Sequence, residues 1–353
     1  MSNRALIARF EEWRQSGKPL ALATVIHTEG STYSKAGRQI LITAEGEHAG
    51  LVSGGCLEGD LAEHACDVIK TGTAKLVRYD MRDEADDLWG MGLGCNGLMQ
   101  ILLQPLSAGN SWQPFSDIAT AMAQLVTMPC ALVTANNAAE PAPGNCFIAA
   151  TNNIWHGTTP APNWLQAPHN MPAIVQHDSA GGATQVLYWC IKPWTRLLLL
   201  GAGPDSVPVV ALANALGWEI TVADHRPKYL DADKFAHADH TKLISPAALT
   251  EQIDIESFDA VVVMSHHIET DQIYLGQLAN VEHAYVGLLG PTARKHKLLT
   301  SLQLADSKFA QRLHGPVGLN IGSDSPETIA LALISEIQAV LHNAATTSIV
   351  VEQ

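Results

Sequence analysis

The chain has 353 residues, of which 47% are apolar and 16% are charged, a composition typical of a globular protein with a sizeable core. Its 35 acidic and 21 basic residues leave a net charge of −14, which repels nucleic acids and anionic membrane surfaces. Its strongest apolar runs, at 197–200 and 260–264, are far shorter than the roughly 20 residues of a membrane-spanning helix. We therefore expect a protein of two domains that binds neither nucleic acid nor a membrane.

The sequence also argues against secretion. Its first residues, MSNRALIARFEEWRQSGKP, carry charges at every turn and lack the apolar segment of a secretion signal. The six cysteines are scattered without a Cys-x-x-Cys pair, a pattern typical of reduced thiols rather than of a disulfide framework. We therefore expect a cytoplasmic protein.

The first hundred residues alternate between helical and strand patterns. Leu6, Phe10 and Trp13 lie at helical spacing, and Gly17 and Pro19 end that helix. The predicted helices span 3–16 and 57–69, and the predicted strands span 20–28, 38–43, 48–53, 74–80 and 98–106. Hairpins beside helices indicate a mixed α+β domain.

Residues 107–193 have a less regular pattern. They contain a predicted helix at 116–126 and predicted strands at 130–135 and 185–191, separated by a stretch rich in Asn, Ala and Pro. We assign these elements to the first domain, which then covers 1–193, with the boundary at Lys192-Pro193-Trp194.

From residue 194 onward, buried strands alternate with helices. The predicted strands lie at 196–203, 218–224, 259–267 and 284–290, and the predicted helices lie near 205–216, 246–253, 269–280, 291–303 and 325–342. Continuous Val, Ile and Leu strands separated by helices indicate a parallel sheet covered on both faces. The fold class is therefore α/β, with an N-terminal α+β domain followed by a Rossmann-like, doubly wound domain at 194–353.

A glycine turn opens the second domain. Gly201 and Gly203 follow a strand and precede a helix, with the small Ser206 at the third position of the motif, and such turns bind phosphate groups. Asp224 ends the next strand, where an acidic residue often holds ribose hydroxyls. This pattern favours NAD(P) or another nucleotide. The alternative is a tight turn without a ligand, and Asp205 at the helix start would oppose a phosphate.

Histidines and aspartates also follow the strands of this domain. No His-Glu-x-x-His or other ligand spacing joins them, and single histidines are more often loop or capping residues, so we expect no resident metal. The residues concerned are Asp224, His225, His237, Asp239, His240, His266, His267 and Asp271.

Two cysteines of the first domain lie in glycine-rich loops. Cys56 follows Gly54 and Gly55 just before a predicted helix, and Cys95 follows Gly94. A helix N-terminus favours the thiolate form of a nearby cysteine, which binds soft metals and carries sulfur. The alternative is that both are small buried residues in tight turns. Cys66, Cys130, Cys146 and Cys190 fall within predicted elements, and we expect them in the core.

A third loop of this domain, at 30–38, is dense in hydrogen-bond donors. It is either a cradle for an oxyanion or an ordinary surface turn.

Taken together, the motifs resemble one known family. GSTYSKAGRQILI, GLVSGGCLEGDL, WGMGLGCNG, LLLLGAGPDSVPVV, VADHRP, VVVMSHH, YVGLLGPTARK and HGPVGLNIGSDSPETIALALISEI occur in this order. They are similar to motifs of the XdhC/CoxI family of xanthine dehydrogenase accessory factors. The resemblance covers the first hundred residues and everything after 196. His267 stands where many members have Asn, and Ser34 and Lys35 stand where Arg or Pro is common.

The resemblance implies a role in maturing molybdenum hydroxylases. Such proteins bind the molybdenum cofactor, support its sulfuration and insert it into the apo-enzyme, which is the work of a cofactor chaperone more than of an enzyme. The implied partners are the molybdenum subunit of a xanthine dehydrogenase-type hydroxylase, a cysteine desulfurase and a second copy of the chain. The matching positions are Gly54, Gly55, Cys56, Glu58, Gly94, Cys95, Gly201, Gly203, Asp224, Arg226, His266 and Asp271.

On this interpretation Cys56 is a transient molybdenum ligand or a persulfide carrier, with Glu58 beside it and Cys95 as a second thiol. Two alternatives stay open at this point. One is an NAD(P)- or flavin-dependent oxidoreductase acting on a small molecule, although the chain has no Tyr-x-x-x-Lys placed for hydride chemistry. The other is a scaffold whose second domain has lost its ligand.

Overall fold

A computed structural model describes residues 2–82, 97–137, 141–149, 154–179, 182–282 and 284–346. The chain divides into two compact units, Met1–Pro193 and Trp194–Gln353. None of the helices in these ranges combines the length and apolar character that a membrane crossing requires. The predicted fold class is confirmed, because antiparallel sheets with helices form the first unit and a parallel sheet forms the second.

The first unit is built around a long buried strand, β1 (Leu20–Gly30). It pairs antiparallel with β2 and β5 in a five-stranded sheet of order β3-β2-β1-β5-β4. The other strands are β2 (Gln39–Thr43), β3 (His48–Ala49), β4 (Lys75–Asp80) and β5 (Gly97–Leu106). The strand predicted at 48–53 is therefore only two residues long.

Helices cover both faces of this sheet. Alternate β1 residues point to opposite faces, so Ala21 and Ala23 pack with α2 (Glu58–Thr71). Leu20 and Leu22 instead pack with α1 (Asn3–Gln15) and α3 (Phe115–Ala123). Both faces of the first seven residues of β1 are therefore buried, which explains why apolar residues dominate that part of the strand.

The remaining strands of the first unit form a second sheet of their own. Its order is β8-β7-β6-β10-β9, and all the pairings are antiparallel. The strands are β6 (Met128–Asn136), β7 (Cys146–Ala149), β8 (Trp155–Gly157), β9 (Ala173–Ser179) and β10 (Gly182–Ile191). The sequence pattern predicts only β6 and β10. Strands β7 and β8 are short and lie in a stretch rich in Asn, Pro and Ala, and β9 has only a brief apolar segment.

The second unit is a six-stranded parallel sheet of order β13-β12-β11-β14-β15-β16. This is the Rossmann strand order 3-2-1-4-5-6. All strands are parallel, and the order in which the chain adds them to the sheet reverses between β11 and β14. The strands are β11 (Arg196–Leu200), β12 (Glu219–Asp224), β13 (His240–Leu243), β14 (Ala260–Val263), β15 (Tyr285–Leu288) and β16 (Leu313–His314). The sequence pattern does not predict the two outermost strands, because β13 is fully exposed and β16 is two residues long.

Helices flank this sheet on both sides. Leu197 and Leu199 pack with α4 (Ser206–Ala215) and α9 (Pro326–Leu341) on one face. Leu198 and Leu200 pack on the opposite face with the other helices, α5 (Leu249–Gln252), α6 (Ile268–Leu278), α7 (Thr292–Ser301) and α8 (Lys308–Arg312). The doubly wound arrangement brings the loops after β11, β12 and β14 to one edge of the sheet.

Candidate functional site

The loop before α2 exposes the thiol of Cys56. Gly54 and Gly55 precede it and are exposed as well. Gly55 has a φ of +106°, a backbone conformation that favours glycine. A side chain at either glycine would meet no heavy atom within 4 Å. The glycines therefore leave open space next to the thiol, so Cys56 is not a core residue.

A buried carboxylate holds this loop in place. Glu58 is only 4% exposed, and its Oε1 accepts hydrogen bonds from the backbone N–H groups of Val52 (3.0 Å) and Ser53 (2.9 Å). Its Oε2 accepts a further hydrogen bond from the Ser53 hydroxyl, whose oxygen accepts from the N–H of Leu57 at 3.0 Å. These N–H groups donate to Glu58 instead of to a neighbouring strand, so residues 52 and 53 do not belong to the strand that the sequence predicts at 48–53.

The charge of Glu58 is stabilised where it lies. Burial acts to raise the pKa of this carboxyl group, but the hydrogen bonds from Ser53 and Val52 outweigh burial and lower the pKa below its usual value. A carboxylate that is ionised and satisfied on both oxygens positions the loop rather than exchanging protons. Gly94 and Cys95, the other predicted thiol loop, lie outside the described residues.

The second group of predicted residues lies at the carboxyl edge of the parallel sheet. Gly201 has a φ of +139°, and a Cβ there would lie 2.3 Å from the carbonyl oxygen of Met264. The loops after β11 and β14 therefore touch at the point where the strand order reverses, which is where open α/β sheets bind ligands. Ser206 is fully buried, and its hydroxyl donates to the carbonyl of Gly203 at 2.6 Å.

Asp224 ties this turn to the end of β12. It is 1% exposed, and its Oδ2 accepts from the N–H of Ala202 at 2.8 Å. The guanidinium of Arg226 donates to both oxygens, at 3.0 and 2.8 Å. Burial acts to raise the pKa of Asp224, but these hydrogen bonds lower it overall. A ribose contact at Asp224 would have to compete with these bonds, so the standard NAD(P) arrangement gains no support here.

Two further pairs stabilise the loop after β14. His266 has a φ of +61°. The distance between its Nε2 atom and Oδ2 of Asp205, at the start of α4, is 2.7 Å. Asp271 is buried and accepts from the Ser265 hydroxyl at 2.5 Å and from Arg294 Nη2 at 2.5 Å. The predicted residues Gly201, Gly203, Ser206, Asp224, Arg226, His266 and Asp271 therefore all belong to this one sheet edge.

Sequence reasoning did not identify Tyr274 as part of this edge. Tyr274 is fully buried, and its hydroxyl has no hydrogen-bond partner among the described residues. Burial and the negative charges of Asp224 and Asp271 raise its pKa. Tyr274 lies three residues after Asp271 on α6, on the same helix face. This helical spacing in the sequence could have identified Tyr274 as a neighbour of Asp271.

The histidines and aspartates of the second unit do not gather into a metal centre within the described ranges. No three His, Cys, Asp or Glu side chains converge there at a distance suited to a metal ion.

Comparison with known proteins places this architecture in a family. The XdhC Rossmann domain matches residues 197–337, and the XdhC and CoxI family matches residues 13–80. A Bacillus subtilis (strain 168) protein, named as a probable xanthine dehydrogenase subunit, is 32% identical over 322 residues, which is 90% of this chain and 91% of that protein. The chain belongs to the XdhC and CoxI family.

Two further proteins resemble this XdhC and CoxI family member over nearly its whole length. The molybdenum cofactor insertion chaperone PaoD of Escherichia coli (strain K12) is 22% identical over 342 residues, covering 96% of this chain and 88% of PaoD. A crystal structure described as a xanthine dehydrogenase from Bacillus halodurans superposes with a TM-score of 0.81 at 28% identity. That match covers 98% of this chain and 97% of the other, so both units share the family architecture.

Proposed function

We propose that this protein is an accessory factor for a molybdenum hydroxylase such as xanthine dehydrogenase. It binds the molybdenum cofactor as cargo, supports the sulfuration of that cofactor and inserts it into the apo-enzyme. Membership of the XdhC and CoxI family supports this class, as does likeness to a protein named a molybdenum cofactor insertion chaperone. The proposal needs no turnover chemistry by the chain itself.

The observation that carries the proposal is the exposed thiol of Cys56 on a loop fixed by Glu58. Thiolates are the protein ligands that soft metals prefer. A ligand that must later release its cargo needs to be accessible yet held in one position. Cys56 has both properties, and we propose that it is a transient ligand at the metal end of the cofactor.

The sheet edge of the second unit, taken by itself, suits a phosphate-bearing ligand such as a nucleotide. The glycine turn at Gly201 to Gly203 allows the close contact with Met264, and the N-terminus of α4, where backbone N–H groups can bind an anion, follows directly. We propose that Asp224 and Asp271 act here by positioning the loops, since their oxygens already accept hydrogen bonds from Arg226 and Arg294.

The proposed partners follow from this cycle. The molybdenum subunit of a xanthine dehydrogenase-type hydroxylase receives the cofactor, and a cysteine desulfurase supplies the sulfur. A second copy of the chain completes a homodimer. Co-purification of tagged chain with each protein and light scattering of the purified chain test these three partners separately.

Cofactor content after anaerobic co-expression with intact cofactor biosynthesis tests the central claim. We expect near-stoichiometric molybdenum and oxidised pterin in the purified chain and a large loss of both in Cys56→Ser. Cys66→Ser is the matched control, because Cys66 is a partly exposed thiol ten residues further on, in α2. A folded wild-type chain without molybdenum or pterin would contradict the proposed function, and equal loading of the two variants would contradict the role of Cys56.

A further inference from the structure

A separate pocket of about 390 Å³ lies in the first unit. Lys35 and Arg38 border it from the loop between β1 and β2, and Lys192 borders it from the end of β10. Neither Cys56 nor Glu58 lines it. The pocket is therefore distinct from the thiol loop, and a ligand for it can be inferred independently of the proposed function.

The charge of this pocket is opposite to that of the whole chain. Three cationic side chains line it, and no Asp or Glu is among its lining residues, although the chain carries 35 acidic and 21 basic residues. Within the described ranges, no ion pair joins Lys35 or Lys192 to an acidic group. Two lysines that line one pocket without an acidic partner in these ranges favour an anionic ligand.

The loop that carries Lys35 and Arg38 is hydrogen-bonded to the first sheet and packs on the second. The N–H of Gly37 donates to the carbonyl of Val25 at 2.8 Å, and Arg38 Nε donates to the carbonyl of Leu51 at 3.4 Å. A Cβ at Gly37 would lie 3.1 Å from the Trp189 ring, so the loop packs closely on β10. The backbone of this loop is thus fixed before any ligand arrives, which reduces the entropy lost on binding.

Much of the remaining pocket lining is apolar, beside the polar residues Asn3 and Gln39. Trp189, Met122 and Ile191 are buried residues that line it, together with the partly buried Met171. Pockets of several hundred Å³ with apolar walls and a few convergent polar groups are typical of sites for small organic molecules. A bare inorganic anion would use the cations alone and leave these walls in contact with water.

We propose that this pocket binds a phosphate monoester that carries an apolar or aromatic group. The phosphate dianion lies against Lys35, Arg38 and Lys192, and the organic part lies against Trp189 and the methionines. Among anionic groups a phosphate matches three cations better than a singly charged carboxylate does, because it offers two charges and three acceptor oxygens.

Calorimetric titration of the full chain with phenyl phosphate tests this proposal. We expect saturable binding with a Kd below about 1 mM. Inorganic phosphate, benzoate and phenol should each bind at least ten-fold more weakly, because each lacks the second charge or the apolar group. Absence of binding by phenyl phosphate would overturn the proposal, and so would equal binding of benzoate or inorganic phosphate.

Variants then locate the binding. Lys35→Met and Lys192→Met should each weaken phenyl phosphate binding about ten-fold. Lys70→Met, an exposed lysine on α2 outside the pocket, should leave binding unchanged. Arg38 stays in place because it also contacts Leu51. Thermal unfolding confirms that each variant is folded, and equal affinity of all three variants would place the ligand elsewhere.

Discussion

Glu58 shows how a single side chain decides the shape of a functional loop. Its carboxylate accepts hydrogen bonds from the backbone N–H groups of Val52 and Ser53, which have no strand partner among the described residues, and so fixes the backbone shortly before Cys56. Buried donors left without an acceptor cost the full penalty of their desolvation. The carboxylate therefore contributes both to the stability of the first unit and to the position of the thiol.

Removal of this carboxylate should be costly. We expect Glu58→Ala to lower the free energy of unfolding by about 1–3 kcal/mol, because two backbone N–H groups and the Ser53 hydroxyl lose their acceptor. Glu58→Gln keeps one acceptor oxygen and should lose less. Urea unfolding provides the measurement.

Glu63→Ala is the matched control, since Glu63 is exposed on the same helix and should change stability by less than about 0.5 kcal/mol. If Glu58→Ala is as stable as Glu63→Ala, the carboxylate does not hold the loop.

At the level of elements, the contact between the loops after β11 and β14 depends on Gly201. Its positive φ and its closeness to the carbonyl of Met264 allow the two strand ends to meet. Asp224 and the Asp205–His266 pair then connect this contact to β12 and α4. The edge of the sheet is thus shaped mainly by backbone approach and paired charges.

A methyl group at Gly201 should disrupt this contact. We expect Gly201→Ala to destabilise the protein by about 2 kcal/mol or more, from the unfavourable φ and the overlap with Met264. Gly54→Ala is the control, because a Cβ at Gly54 has no heavy atom within 4 Å. Thermal unfolding of both variants distinguishes them, and a stable Gly201→Ala would show that the loops can separate without cost.

At the level of the whole molecule, both units depend on carboxylates that are buried or partly buried. Glu58 lies in the first unit, and Asp224 and Glu336 lie in the second. Glu336 accepts from the Tyr285 hydroxyl at 2.6 Å and from the N–H of Gly318 at 2.8 Å. Burial acts to raise the pKa of Glu336, but hydrogen bonds from His314, Tyr285 and Gly318 outweigh burial and lower it.

These lowered pKa values predict sensitivity to acid. A carboxyl group whose pKa is lower in the folded chain stabilises the fold fully above its unfolded pKa, near 4.5 for Glu and 3.8 for Asp. That stability is lost as the pH falls through the folded pKa. We expect the Tm to fall progressively below roughly pH 5, as measured by thermal unfolding across a pH series.

A double variant tests whether these carboxylates cause the loss of stability in acid. Asp224→Asn with Glu336→Gln should lower the Tm at neutral pH and flatten its dependence on acid, because two of the titrating groups are gone. An unchanged acid dependence would assign the effect to other groups.

Much of the fold could be predicted because the relevant signals are local. Strands β11, β12, β14 and β15 are runs of aliphatic residues, and α1 has its apolar residues at helical spacing. Strands β7, β8 and β13 carry no comparable pattern, because they are short or exposed and gain their stability from neighbours distant in sequence. Pairing across the chain therefore supplied what local periodicity could not.

The sequence by itself determined the fold class, the family, the glycine turn at Gly201 and the presence of Cys56 before a helix, since each is a local pattern of residue types. Only the tertiary structure decided that Glu58 is buried beneath the loop of Cys56. It also decided that Asp224 and Asp271 accept hydrogen bonds from two arginines, Arg226 and Arg294. The same holds for the pocket that Lys192 shares with Lys35. The physical reason is that charge, burial and hydrogen bonding depend on distances in space. Residues 157 positions apart in the chain, such as Lys35 and Lys192, become neighbours only when the sheets have formed.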